Sequence, residues 1–175
     1  MLACAAMAFT LALDGALATL RPWRLEDLDA FHRIWGDPEV IFWGANADRA
    51  ASERQLRELL ESDSKLPDGQ GWTAIAEKAT GEIVGSALLK PAPFYPGELE
   101  VGFHLARSAW GRGLATDAVR TLVDHARRTL RLKRLVAAAL PGNARSLKVL
   151  ERTGFKRWGT TLHAGRSHGL YALNL

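Results

Sequence analysis

The 175-residue sequence contains a single cysteine, Cys4, so no internal disulfide can form and no cysteine-based metal set can be assembled. That scarcity fits a chain kept in a reducing, cytoplasmic compartment, and no metal is expected. Long hydrophobic runs are also lacking. The apolar N-terminal stretch has no basic residue before Arg21 and is interrupted by Asp14 and Gly15, so neither a secretory leader nor a membrane span is expected. Residues 1–9 read as a disordered N-terminal extension with Met7 as an alternative start, and residues 10–175 as one domain. No repeat, low-complexity tract or linker interrupts it. A hydrophobic fraction of 47% over this length supports one full core and falls short of two. The net charge is +4 and the pI about 9.6, yet no groove of basic and aromatic residues accompanies them, so no nucleic-acid partner is expected.

Residues 98–120 organise what is there. Leu99, Val101, Phe103 and Leu105 alternate with Glu98, Glu100, Gly102 and His104, the period of a strand with one buried face. Leu114, Ala115, Ala118, Val119, Leu122 and Ala126 then recur at helical spacing. Between them, Gly111 and Gly113 permit a sharp turn that presents unpaired amides at the helix start, a terminus suited to phosphate. Arg107, Arg112, Arg120, Arg127, Arg128, Arg131, Lys133 and Arg134 gather around this turn, opposed only by Asp117 and Asp124. Some would meet an anion, and others form the solvated face of the helix.

Asp14 and Gly15 lie between two apolar stretches, residues 10–13 and 16–22, as the turn of a two-residue hairpin. Helices are predicted over 26–35 and about 48–61, the second capped by Asn46 or Asp48. Strands are predicted over 72–77 and 82–89, with Gly85 marking a bulge. Pro91, Pro93 and Pro96 argue against regular structure over 90–97. A buried strand over 134–140, a helix over 143–153 closed by Gly154, and strands over 155–162 and 168–175 complete the chain, with a loose connection over 160–167.

The turn Trp110, Gly111, Arg112, Gly113, Leu114, Ala115, with Thr116, Asp117 and Ala118 after it, resembles motif A of the GNAT superfamily of acyl-CoA-dependent N-acetyltransferases. Trp110 stands where that family usually has Gln or Arg, and the variant is typical of the subgroup resembling the ribosomal-protein N-terminal acetyltransferases. Residues 141–155, with Asn143, Ser146 and the closing Gly154 and Phe155, resemble motif B. The resemblance covers nearly the whole chain from about Thr10 to Leu175.

The resemblance implies a single-domain mixed α/β fold: about seven strands in a mixed sheet, splayed at its central strands, with helices on both faces. It implies acetyl-CoA as co-substrate, its pantetheine pairing with the strand edge around Phe103, His104 and Leu105 and with Asn143. Its pyrophosphate would sit on Gly111, Arg112, Gly113, Leu114, Ala115 and Thr116. Phe42 and Trp43 are then acceptor-side aromatics or core residues. The acceptor is an amine, either a protein N-terminus or a small molecule, and transfer is direct, in a monomer or homodimer. Glu100 is the candidate base, with Glu98 as its neighbour in the alternation, and Ser146 the candidate donor to the departing thiolate. Leu150 occupies the position where many members carry a tyrosine acid. That departure leaves open a non-catalytic acyl-CoA-binding module. His104, His163 and His168 are weaker candidates for a base.

Overall fold

A computed structural model describes residues 12–163 and 165–175. Eight strands form one sheet in the order β1-β2-β3-β4-β5-β6-β8-β7, comprising Leu13–Asp14, Ala18–Pro22, Gly71–Glu77, Ile83–Pro91, Leu99–Leu105, Arg134–Ala139, Lys156–His163 and Arg166–Asn174 in chain order. Every neighbouring pair is antiparallel except β5 and β6, and eight strands stand where about seven were expected. The proposed extension over 1–9 and the first half of the strand expected over 10–13 lie outside the described residues.

Four helices cover the two faces: α1 (Leu28–Trp35), α2 (Arg49–Asp63), α3 (Leu114–Arg128) and α4 (Ala144–Arg152). On one face, Leu114, Ala118, Val119, Leu122 and Ala126 of α3 pack on Val101 and Leu105 of β5, with Leu150 and Phe155 from the α4 segment in the same cluster. On the other, Phe31, Ile34 and Trp35 of α1 join Leu56 and Leu59 of α2 over Ala74. The alternation of β5 therefore separates two environments. Leu99, Val101, Phe103 and Leu105 belong to the α3 side, leaving Glu100, Gly102 and His104 toward α1 and α2.

Asp48 caps α2, its carboxylate accepting from the Ala51 amide at 2.7 Å, while Asn46 instead donates to Gln55. The bulge falls at Gly85 as its sequence suggested: Ile75 pairs with Gly85 and Ala76 with Ile83, leaving Val84 extra. A Cβ at Gly85 would come within 2.7 Å of the His104 carbonyl, so only glycine fits there.

Three sequence expectations are corrected. Asp14 is a paired strand residue opposite Thr19, and the hairpin turns over Gly15, Ala16 and Leu17. The reason lies about a hundred residues away: the Asp117 carboxylate on α3 accepts from the Ala16, Leu17 and Ala18 amides at 2.9–3.0 Å, as a turn-closing carbonyl would. Secondly, β4 continues through Lys90 and Pro91, which pair with Glu100 and Leu99. Pro91 falls between Lys90 and the Ala92 amide that donates to the Glu98 carbonyl at 2.9 Å, at a position whose N–H the β5 ladder does not use, and β3 pairing has ended at Leu89. Thirdly, the loose connection over 160–167 is instead the paired ends of β7 and β8, in register through His163 and Arg166.

Candidate functional site

Among the described residues, the sheet opens at its only parallel pair. Leu99 aligns with Leu135 and Glu100 with Val136, and the pairing goes no further although β5 continues to Leu105 and β6 to Ala139. Beyond Glu100, the β6-facing edge of β5, which includes Phe103 and Leu105, has no strand partner among the described residues. The backbone of His104, expected on that edge, is instead directed to Ser86 of β4, because the bonds from Ala92 to Glu98 and from Ala106 to Val84 put the even-numbered residues in that ladder. A strand edge left open in this way offers its amides and carbonyls to an extended ligand.

The glycine turn lies just past the end of that edge. Gly111 and Gly113 have φ of +75° and +83°, a region closed to side chains at low cost, and a Cβ at Gly111 would meet nothing within 4 Å. The backbone there faces open space. The first turn of α3 closes with the Asp117 amide donating to the Gly113 carbonyl at 3.0 Å, so the amides from Gly111 through Arg112, Gly113, Leu114 and Ala115 to Thr116 lack intrahelical carbonyls. Trp110 fixes the turn to β5, its indole donating to the Leu105 carbonyl at 2.9 Å. The Arg145 guanidinium of α4 lies 3.9 Å from the Trp110 ring centroid. Arg145 was not singled out from sequence, because its proximity depends on how α4 docks.

Much of the basic excess around the turn is compensated. Arg112 forms an ion pair with the buried Glu77 of β3. Arg107 pairs with Asp37 and Glu39 at 2.8 and 3.0 Å, and Arg134 with Glu98 at 2.5 Å. The last pair distinguishes the two glutamates that alternation left equivalent. Glu98 is neutralised by a guanidinium, whereas Glu100 is 9% exposed and has Lys90 Nζ at 4.0 Å. Burial pushes the Glu100 carboxyl up to about 7, against the opposing pull of Lys90. Asp63, at the end of α2, is pushed to about 6 by burial, although its Oδ2 accepts from the Trp72 amide at 2.7 Å. Lys90 was assigned to a loop because Pro91 follows it, and Asp63 carries no local signal.

On the same face, His104 sits among three indoles. Its ring centroid lies 5.2 Å from Trp35, 5.2 Å from Trp43 and 6.0 Å from Trp72. Burial there depresses the imidazole to about 4, so it is neutral at pH 7. Phe42 and Trp43 form an edge-to-face pair at 4.9 Å and are about half exposed, at the rim of this aromatic group.

Across the opening, Asn143 caps α4, its side chain accepting from the Ser146 amide at 3.2 Å. Ser146 is partly buried in the first turn of α4, and Leu150 one turn later is buried in the α3-side core. His168 is engaged with the Arg166 carbonyl at 2.9 Å, and the side chain of His163 lies outside the described residues. Among the described residues, no cluster of metal-ligating side chains occurs and no helix is long and apolar enough to cross a membrane.

Comparison with known proteins accords with this geometry. The family model described as "Acetyltransferase (GNAT) domain" matches residues 18–156. An uncharacterized N-acetyltransferase, p20, from Bacillus licheniformis is 32% identical over 143 residues, covering 81% of this chain and 80% of that protein. Among solved structures, an acetyltransferase of the GNAT family from Bacillus anthracis superposes with a TM-score of 0.80 at 17% identity, over 94% of this chain and 98% of that one. RimJ from Mycobacterium smegmatis, solved with CoA-disulfide, gives a TM-score of 0.71 at 22% identity over 94% and 86% of the two chains. The two structures show a shared fold, and the family match over most of the sequence shows membership: the chain belongs to the GNAT acetyltransferase family and is an acetyl-CoA-dependent N-acetyltransferase.

Proposed function

We propose that the chain transfers the acetyl group of acetyl-CoA directly to a primary amine bound on the α1/α2 side of the sheet, with Glu100 as the base. The observation that carries this reading is the position of Glu100: a buried carboxyl, titrating near neutrality, at the last paired residue before β5 and β6 part. A thioester approaching through that opening reaches the face that holds Glu100, Gly102 and His104.

The binding residues fit the donor. Pantetheine amides match the open edge at Phe103 and Leu105 together with Asn143, and the amides of Gly111 to Thr116 suit the pyrophosphate. Arg112 supplies a cation beside them while still paired with Glu77. The amine nitrogen attacks the thioester carbonyl carbon, forming the C–N bond. Glu100 takes the ammonium proton, directly or through water, and the C–S bond breaks as the tetrahedral centre collapses. The thiolate then takes a proton with the Ser146 hydroxyl as hydrogen-bond donor, since Leu150 offers none. Holding donor and acceptor on the two sides of one opening supplies proximity. The single cysteine supports a reducing, cytoplasmic location.

The test begins with calorimetric titration of acetyl-CoA. Binding in the micromolar range that is lost in Gly113→Trp supports the turn as the phosphate site, and no binding to the native chain overturns the assignment of that site. Glu100→Gln should retain acetyl-CoA binding while lowering kcat by ~100-fold or more. Unchanged kcat would remove Glu100 from the mechanism.

A further inference from the structure

The guanidiniums nearest the glycine turn differ in how their charge is met. Arg107 is paired with Asp37 and Glu39, and Arg112 with the buried Glu77, so both are neutralised within the fold. Arg145 is not. Among the described residues no carboxylate pairs with it, and it rests instead on the face of the half-buried Trp110, 3.9 Å from the ring centroid. The residues three and four positions away, Pro141, Gly142, Lys148 and Val149, include no acid that could reach it along the chain.

Its position adds to the imbalance. Arg145 is the second residue of α4, after the Asn143 cap, where the helix dipole presents its positive end, and the first turn holds no acidic residue. A cation is disfavoured there. On the other wall of the opening, the first turn of α3 holds a single acid, Asp117, whose carboxylate already accepts from the Ala16, Leu17 and Ala18 amides. The guanidinium and the free amides of the turn thus face the opening without a countercharge from either helix. An anion entering from solution relieves that excess.

Trp110 sets where the anion lies. Its indole donates to the Leu105 carbonyl at 2.9 Å, occupying the last acceptor of the open β5 edge, and the next residue, Gly111, begins the row of free amides. An extended ligand lying along Phe103 and Leu105 therefore finds its final carbonyl taken and turns toward α3. The guanidinium stands at that bend. An aromatic face holds a guanidinium by its plane and leaves the N–H groups at its edge for an oxygen acceptor. Neither wall obstructs the approach, since a Cβ at Gly111 in the turn or at Gly142 ahead of α4 would meet nothing within 4 Å.

We propose that Arg145 is a coenzyme-binding residue: its guanidinium, held on Trp110, contacts the diphosphate of acetyl-CoA from the α4 wall, opposite the amides of the α3 turn. The diphosphate is the group assigned because the ring that carries the guanidinium adjoins the first of those amides. This rests on the placement of the pyrophosphate at Gly111 to Thr116 and names the unpaired cation that completes that site.

The experiment is calorimetric titration of CoA and of 3′-dephospho-CoA into the native chain, Arg145→Gln, Arg145→Lys and Gly113→Trp. Arg145→Gln, at an exposed position, should weaken both ligands equally, by ~10-fold or more, as the loss of a charge-assisted hydrogen bond to phosphate does. Its affinity should also fall less steeply with added salt. Arg145→Lys should recover part of the loss, because it keeps the charge without the planar fork. In a Trp110→Leu background, Arg145→Gln should cost much less than in the native chain, because the ring no longer holds the guanidinium in place. Equal affinity of the native chain and Arg145→Gln for CoA overturns the inference. A loss seen with CoA and absent with dephospho-CoA moves the contact to the 3′-phosphate and overturns the assignment to the diphosphate, and additive effects at positions 110 and 145 overturn the role of the ring. In each of those cases binding that is lost in Gly113→Trp leaves the turn standing as the phosphate site. Native CoA binding that survives Gly113→Trp, or no native binding at all, overturns that site and the inference with it.

Discussion

Replacing Lys90 with methionine should move the acid limb of the kcat/KM–pH profile upward by about one unit. The reasoning starts from Glu100, whose carboxyl burial has carried to about 7, with Lys90 as the nearest opposing charge at 4.0 Å. Two unit charges at that distance interact with ~1 kcal/mol at the dielectric of water and ~4 kcal/mol at an effective value of about 20. The lysine side chain is 32% exposed and the glutamate 12%, which favours the lower part of that range. At ~1.4 kcal/mol per pH unit, the loss of the cation is worth about one unit. Its sign is fixed: without the ammonium the carboxylate is harder to form, so the base is lost at higher pH. Asp63 from α2 is the other ionisable group facing this cluster, and its carboxylate acts in the same upward direction once Lys90 no longer offsets it. Glu98 and Arg134 neutralise one another. His104 cannot imitate the limb, because burial holds it near 4. The assay is thiol release across the neutral range with the native chain, Lys90→Met and Glu100→Gln. A limb that stays near 7 in Lys90→Met but disappears in Glu100→Gln refutes the electrostatic coupling, and a limb that survives Glu100→Gln refutes the base.

Asp117→Ala should free the β1–β2 turn from α3, removing three hydrogen bonds to the Ala16, Leu17 and Ala18 amides, and lower stability by ~2 kcal/mol in chemical denaturation. Because Leu17 Cδ1 lies 3.4 Å from where a Gly113 Cβ would be, the same change should weaken acetyl-CoA binding more than it lowers kcat. Thermal stability should fall as pH rises from about 4 to about 6, since Asp63 and Glu100 are both raised in the folded chain and bind protons there that the unfolded chain has released, while the lowered imidazole of His104 acts in the opposite direction and offsets one of the two. Asp63→Asn should flatten part of that slope, raising Tm at neutral pH and changing little below about 4; a slope unchanged by the substitution would place its origin elsewhere. Glu77→Gln should release Arg112 from its ion pair and tighten acetyl-CoA binding, read by calorimetry, and no change would mean that the guanidinium does not reach the donor.

The parts of this chain legible from sequence are those whose causes are local. Alternation through β5, two glycines at positive φ and the apolar stripe of α3 each act within a few residues, so strand, turn and helix could be placed in order. The Asp48 cap and the Gly85 bulge were legible for the same reason. The β1–β2 turn was misplaced because Asp14 and Gly15 carry a hairpin signal while the group that closes the actual turn, Asp117, is supplied by α3. Pro91 hid the end of β4 because a proline signals interruption but not on which side of it pairing stops.

The site divides along the same line. Alternation placed Glu100 and His104 on the face away from α3, but their chemistry is set by residues that sequence order does not bring together. Lys90 and Trp72 come from β4 and β3, Asp63 from the end of α2, Trp35 from α1 and Trp43 from the segment after it. Two strand positions two pleats apart thus acquire opposite properties. The carboxyl is raised by burial next to a cation, and the imidazole is lowered by burial among rings, so that at pH 7 one group is poised to exchange a proton and the other is held neutral. A carboxyl raised and an imidazole lowered on one face of one strand therefore need no sequence motif of their own. They follow from where the sheet divides its strand pairing and from which helices close over the face it exposes.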